Sequence, residues 1–314
     1  MSYMLLGGFG FLGQNLCRIL IDKGEKVLMY GRESERARVA EERLRNRGLT
    51  FETLWGDFES ESKWAEKLAG VNTVIHLIST TKPSNTVLDY EFSSNVQSSV
   101  RLFEACVEMG IKVIFFSSGG TVYGVPRYLP IDEQHPTEPI STYGIAKLSI
   151  EKCLSYYGYT QGLDYRILRI SNPYGRAQNP VGNQGLMGVA LAKALRGQSI
   201  EVWGRGNVVR DYIYVDDLME AVAAILTYEG DVRLFNIGNT RGYSVNEIVS
   251  TIQRYVKPRV SVKHLEGRIQ DVPVNILSHE TITEETGWQP RVGLDEGIKR
   301  MMHAWNVDTG EFEL

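Results

Sequence analysis

Residues 3–13 read YMLLGGFGFLG, a short apolar run that breaks into glycines and then resumes. The first part, YMLLGG (3–8), has the length and continuity of a buried strand. FLGQNLCRILIDKG (11–24) has the spacing of a helix closed by glycine. Gly7, Gly10 and Gly13 recur every third residue across the join. Glycine is needed where a turn takes unusual dihedrals and where backbone must come close to a pyrophosphate. The helix start then offers unpaired N–H groups and a positive dipole end to an anion. Tight turns also collect glycine. The pattern gains weight from its place at the first βα turn of a βαβ unit, where it predicts dinucleotide binding.

Outward from this turn, short β-branched runs alternate with helix-length segments. KVLMYG (26–31), TVIHLIS (73–79), KVIFFSS (112–118) and RILRIS (166–171) read as strands. ARVAEERLRNRG (37–48) and SSNVQSSVRLFEACVEMG (93–110) read as helices. Such alternation predicts an α/β fold, a Rossmann-type doubly wound parallel sheet with right-handed crossovers. NPYGRAQNPVGNQG (172–185) reads as a long loop. Helical pieces at 188–197 and 215–228 then mix with short strands at 200–204 and 234–238. The expected organisation is a dinucleotide-binding domain over 1–172, to which the chain returns around 205–238. A smaller C-terminal α/β substrate-binding domain occupies mainly 173–314.

The 314 residues are 43% apolar, enough for an ordinary core. A net charge of −4 and a pI near 5.8 argue against a nucleic-acid surface. The run from Arg32 to Arg47 alternates with glutamates and reads as a solvated helix. Cys17, Cys106 and Cys153 match no disulfide or zinc spacing and read as buried thiols. His76 lies in an apolar strand as a satisfied core residue, and no histidine is spaced for a metal. The start carries no leader-like pattern and no run reaches membrane-spanning length, so the expectation is a cytoplasmic protein without membrane or nucleic-acid partners.

Two segments carry chemistry. The second strand of a dinucleotide fold ends in an acidic residue when the cofactor is NAD. Here Gly31 holds that place and Arg32 follows, a pattern that suits the 2′-phosphate of NADP or leaves Arg32 as a surface residue. Asp57 in WGDFES (55–60) is placed either to accept from an adenine amino group or to form a turn. STYGIAKLSIEKCL (141–154) sets Tyr143 and Lys147 four apart on a helix face, with Cβ atoms about 6 Å apart. A lysine ammonium beside a phenol is expected to pull its pKa below the usual value near 10, which makes the tyrosine a reversible acid/base.

GGFGFLG, HLIS, SSN (93–95), SSGGTVYG, YGIAK, SNPYG and VVRDYIYVDDL together resemble the extended short-chain dehydrogenase/reductases, to which the GxxGxxG spacing is typical. Within them the chain looks most like the NAD-dependent epimerase/dehydratase family, and nucleotide-sugar epimerases of the UDP-glucose 4-epimerase type. The resemblance runs from about residue 3 to 304. It implies Tyr143 as acid/base and Lys147 as its partner and a nicotinamide-ribose ligand. It also implies a cofactor site of Gly7, Gly10, Phe11, Leu12, Gly13, Arg32, Asp57, Phe58, Leu77, Ser79, Asn95 and Ser117. A UDP-sugar would meet Thr121, Asn172, Leu186, Arg210, Arg268, Asp271 and Asn275. A homodimer is implied through the helices near 93–109 and 142–157.

One departure matters. The family usually places a third catalytic hydroxyl where this chain has Gly119, so Thr121 or Ser118 would substitute, with Thr121 favoured. Dehydratases carry Asp-Glu before VYG, and Gly120-Thr121 here argues against dehydration. The expected activity is therefore C4 inversion of a UDP-hexose or UDP-N-acetylhexosamine through a 4-keto intermediate. An NAD(P)-dependent reductase is the enzymatic alternative, supported by Gly31-Arg32, and a non-catalytic dinucleotide-binding regulator is the other. Asn275, standing where a bulky tyrosine is found in strict UDP-glucose epimerases, implies room for an N-acetyl group.

Overall fold

The computed structural model describes residues 1–81, 85–179, 185–266 and 272–305. Its strands in chain order begin with β1 (Ser2–Leu6), β2 (Lys26–Gly31), β3 (Glu52–Trp55), β4 (Thr73–His76) and β5 (Lys112–Ser118). There follow β6 (Tyr165–Ile170), β7 (Asn172–Tyr174), β8 (Ile200–Trp203) and β9 (Val209–Tyr214). The last are β10 (Leu234–Ile237), β11 (Gly242–Ser244), β12 (Val262–Leu265) and β13 (Val274–Asn275). A seven-stranded sheet runs in the order β10-β6-β5-β4-β1-β2-β3. The pairs β2–β3, β1–β2, β1–β4 and β4–β5 are parallel. This is the doubly wound Rossmann-type order, in which the chain reverses direction of progress between β1 and β4 and leaves a crevice at their carboxyl ends.

The sequence explains the burial. β4 is buried at every position and β1 at all but the first, as expected of strands covered on both faces. Met4, Leu6, Val74 and Phe115 from the sheet meet Phe103 and Leu154 from the flanking helices in one core cluster. The helix Thr142–Gln161 starts on Ser141, whose hydroxyl accepts from the Gly144 N–H, and stops at Gly162 in the left-handed region.

The chain divides into two compact units. One contains 1–124, 137–169 and 229–235; the other contains 125–136, 170–228 and 236–314. In the second, β9 is the hub: β7 and β13 pair with it in parallel and β11 antiparallel. Asp211 on β9 is fully buried, and its carboxylate accepts from the backbone N–H groups of Asn239 at 2.9 Å and Leu277 at 3.2 Å. Burial pushes its pKa up to about 7 against those donors.

Three sequence expectations need correction. The strand expected over 73–79 stops at His76, because the chain turns away where the sheet's crevice opens, leaving Leu77 and Ser79 in the following loop. The helix expected over 93–110 begins earlier, with Leu88–Glu91. It then passes through one π-helical stretch, Phe92–Val96, before the regular helix Gln97–Met109. The start of the segment expected to be all loop, 172–185, is strand β7, since Asn172–Tyr174 finds backbone partners along β9.

Two side-chain constraints hold the first unit. A Cβ on Gly13 would lie 2.5 Å from the carbonyl oxygen of Gly7 and closer still to that of Gly8, both backbone atoms that cannot retreat cheaply. Gly13→Ala is therefore expected to cost about 1–3 kcal/mol, read as a lowered midpoint in denaturant unfolding. Arg169 on β6 and Glu151 on the helix Thr142–Gln161 form a buried bidentate pair, with Nη2 and Oε2 at 2.6 Å. Glu151→Ala leaves a buried guanidinium without its anion and is expected to cost about 3–5 kcal/mol in the same measurement.

Candidate functional site

The glycine turn forms as its spacing requires. The Gly7 N–H donates to the Tyr30 carbonyl at 2.9 Å, the Gly10 N–H donates to Gly7 at 3.0 Å, and Gly7 has φ +85°. The helix Phe11–Asp22 has Gly10 as its N-cap with no side-chain cap, and no acidic residue lies in its first turn. Gly10 is exposed, and a Cβ there would meet only the Gly7 carbonyl oxygen, so the space above it is open to a ligand. Phe11 and Leu12, both partly buried, form the first helical turn beside it. Open backbone, free of carboxylates at a helix start, fits a diphosphate.

At the end of β2 the structure gives Gly31 a packing reason. A Cβ there would sit 3.1 Å from the ring of Phe9, which stacks on Trp55 at 4.6 Å. Arg32 donates to both Asp57 and Glu59 at 3.0 Å. Two carboxylates thus share a guanidinium that is itself mostly exposed. Phe58 turns its ring into the core, edge-on to His76 at 5.0 Å. His76 bonds Ser99 through Nε2 at 3.0 Å, and burial holds its pKa well below the ordinary value, as a core histidine.

The chemistry-bearing groups of the first unit gather around the start of the helix Thr142–Gln161. Tyr143 is partly buried, with the Ser79 hydroxyl acting to lower the pKa of its phenol. Lys147, one turn on, is buried with Nζ 5.8 Å from the centre of the Tyr143 ring. Its ammonium donates to the Phe116 carbonyl at 3.0 Å and lies 4.7 Å from the centre of the Phe115 ring. The shared face expected from the sequence is present, but the expected effect on the phenol is not. Burial pushes Tyr143 up to about 12, outweighing the Ser79 hydrogen bond, and the same burial brings Lys147 down to about 8.

The loop after β5 lies against this pair. A Cβ on Gly144 would come 2.6 Å from the Thr121 carbonyl oxygen, so the glycine after Tyr143 admits that loop. The Thr121 hydroxyl is buried without a hydrogen-bond partner among the described residues. Ser118 ends β5 and its carbonyl accepts from Thr121 and Val122. Ser117 instead gives its hydroxyl to Glu151 at 2.5 Å, beneath the Arg169 pair, so its side chain is structural. Asn95 is buried in the π-helical stretch, where it accepts from the Thr80 N–H at 2.9 Å and donates to Glu91 at 3.0 Å. These bonds tie the helix to the loop after β4.

In the second unit Asn172, Arg210 and Asn275 share the β9 sheet. Asn172 on β7 donates to the Asp211 carbonyl at 2.8 Å. Arg210 on β9 lies in register with Asn275 on β13, and its guanidinium donates to the Val272 carbonyl at 2.6 Å. Arg210 and the neighbouring Asp211 carboxylate bond to different partners. Asn275 is fully buried and Leu186 opens the helix Leu186–Leu195. Arg268 and Asp271 lie outside the described residues. Glu91, fully buried beside Asn95, escaped the sequence reading, because its burial depends on Thr81, Asn85 and Asn95 packed around it. Among the described residues no cluster of metal-ligating side chains occurs, and no helix is long and apolar enough to cross a membrane.

Comparison with known proteins follows the same outline. The chain is 31% identical to a putative UDP-glucose 4-epimerase of Methanocaldococcus jannaschii, over 96% of this chain and 97% of that one. It is 30% identical to a dTDP-4-dehydro-6-deoxyglucose reductase of Escherichia coli, over 96% of each. The crystal structure of a UDP-glucose 4-epimerase from Thermotoga maritima with UDP-glucose superposes with a TM-score of 0.88 at 30% identity, covering 98% of this chain and all of that one. Residues 3–238 match the model of the NAD dependent epimerase/dehydratase family, and with the glycine turn, Tyr143 and Lys147 in place the chain belongs to that family.

Proposed function

We propose that the protein is an NAD-dependent nucleotide-sugar 4-epimerase that inverts C4 of a UDP-hexose or UDP-N-acetylhexosamine. The observation that carries this reading is the Tyr143–Lys147 couple packed against the Thr121 loop, at the carboxyl edge of a sheet whose first turn fits a diphosphate. Arg32, engaged by Asp57 and Glu59, supports NAD over NADP. When bound, nicotinamide supplies the site that takes and returns hydride.

The chain's own residues do the rest. Tyr143 holds the proton exchanged with the C4 hydroxyl, and Lys147 is its cationic partner. The buried, unpartnered Thr121 hydroxyl supports Thr121 over Ser118 as the group that orients the sugar hydroxyl. The 4-keto sugar formed in mid-reaction needs no further acid or base, only freedom to present its other face while its nucleotide stays held. Asn172, Leu186, Arg210, Arg268, Asp271 and Asn275 are the residues proposed to hold it. Arginine suits phosphate oxygens through its planar fork.

The reductase reading is favoured by one finding, the 30% identity to the Escherichia coli reductase. The two separate in one assay: an epimerase converts UDP-glucose to UDP-galactose without net change in nicotinamide absorbance, whereas a reductase consumes reduced cofactor in step with a 4-keto sugar. Conversion without net consumption is the expected outcome. Tyr143→Phe should lower it about a hundred-fold or more while leaving the melting temperature in place; a variant that keeps most of its activity would remove Tyr143 from the acid/base role. Asn275→Tyr, checked for folding because the site is fully buried, should suppress turnover of UDP-N-acetylglucosamine more than that of UDP-glucose. Equal effects on both sugars would take Asn275 out of the specificity pocket.

A further inference from the structure

Arg32 follows Gly31 at the end of β2 and donates from a single nitrogen, Nη2, to two carboxylates. Asp57 Oδ1 and Glu59 Oε1 each lie 3.0 Å from it. A guanidinium can grip a phosphate as a planar fork in two ways, end-on through Nη1 and Nη2 or side-on through Nε and Nη2. Nη2 belongs to both forks. With two carboxylate oxygens accepting from its two hydrogens, neither fork is whole.

Of the two carboxylates, Glu59 is the better anchored. Its side chain is 27% exposed, against 44% for Asp57 and 63% for Arg32. The Tyr90 hydroxyl, on the segment Leu88–Glu91, reaches the same carboxylate at 3.2 Å from Oε1 and 3.3 Å from Oε2. The Glu59 carbonyl accepts from Arg101, on the helix Gln97–Met109, at 2.6 Å, and its N–H donates to Asp57 Oδ1 at 3.1 Å. An exposed ion pair contributes little when both side chains must be ordered to make it. Here one partner is already fixed by its neighbours. The other charges nearby are engaged: Glu33 pairs with Arg38, and Arg101 also donates to the Ser98 hydroxyl at 2.8 Å.

The position gives this lock a task. In a dinucleotide fold the end of the second strand holds the adenosine ribose, and an arginine there accommodates the 2′-phosphate of NADP. β3 runs alongside, with Gly31 in register with Trp55 and the Gly56 N–H donating to the Gly31 carbonyl at 3.0 Å. That register brings Asp57 and Glu59 to Arg32. A free ribose 2′-hydroxyl offers these carboxylates a donor, whereas a 2′-phosphate offers acceptors and further negative charge. We infer that Glu59 is a specificity-determining residue, which selects the unphosphorylated dinucleotide by occupying the Arg32 nitrogen that both phosphate-gripping forks require. This rests on the reading of the glycine turn and the end of β2 as an NAD site.

The experiment is the melting temperature of the full chain as purified, measured without added dinucleotide, in about 1 mM NAD and in about 1 mM NADP, since each raises it according to its affinity. The parent is expected to melt higher in NAD than in NADP. Glu59→Ala, with Asp57 left in place, should narrow that gap by about 2 °C, what one regained charged contact is worth in a chain of this size. Glu59→Gln, which keeps a neutral acceptor, should narrow it less. Lost packing would lower both temperatures together and leave the gap as it was. Adding Arg32→Ala to Glu59→Ala should restore the parent gap, because the gain runs through the guanidinium. An unmoved gap in Glu59→Ala, or a narrowed one that survives Arg32→Ala, overturns the inference. If Glu59→Ala does not fold, Glu59→Gln decides: a narrowed gap supports the inference and the parent gap overturns it. A chain that gains nothing from either dinucleotide removes the cofactor reading and the inference with it, whereas gains from both with an unmoved gap remove the inference alone.

Discussion

The first unit depends on one close approach, the crossing of the helix Phe11–Asp22 over the end of β1. At Gly13 the helix backbone lies where any Cβ would strike the carbonyls of Gly7 and Gly8. That contact sets the helix start directly at the strand's carboxyl end. It brings the unpaired N–H groups of the first turn to the crevice where the sheet reverses its order between β1 and β4. The loops after β4 and β5 open into the same edge, so the residues they carry meet there because the strands end there.

Around that edge the site is built of buried polar groups, each held by a second one. Lys147 rests on the Phe116 carbonyl, Glu151 on Arg169, Asn95 on Thr80 and Glu91 on Thr81 and Asn85. Such networks are costly when incomplete and rigid when satisfied. The hydroxyl of Thr121, like Nδ1 of His76, is buried with no hydrogen-bond partner among the described residues. Burial also explains why the phenol and the ammonium move in opposite directions. Each neutral form is favoured in a dry site, which raises a tyrosine and lowers a lysine.

Much of this was legible in the residues. The glycine spacing, the alternation of β-branched runs with amphipathic segments, and the four-residue step from Tyr143 to Lys147 are local patterns. Strand and helix periodicities report them directly. Where the reading slipped, a non-local partner decided. β4 ends at His76 although ISTT continues in a strand-like manner, and SNPYG becomes a strand because β9 lies beside it. Gly31 looked like a missing carboxylate; in three dimensions it is the place where the Phe9 ring packs. Arg32 could be read as a phosphate ligand or a surface residue; Asp57 and Glu59, distant in sequence, are the partners it meets.

The sequence by itself determined the fold class, the glycine turn and the four-residue step from Tyr143 to Lys147, because each rests on residues within one or two turns of chain. Only the tertiary structure decided their proton affinities, the pairing of Ser117 with Glu151 and the inward turn of Glu91. Desolvation and buried pairing depend on what covers a group from every side, and those neighbours come from strands and helices far apart in the chain.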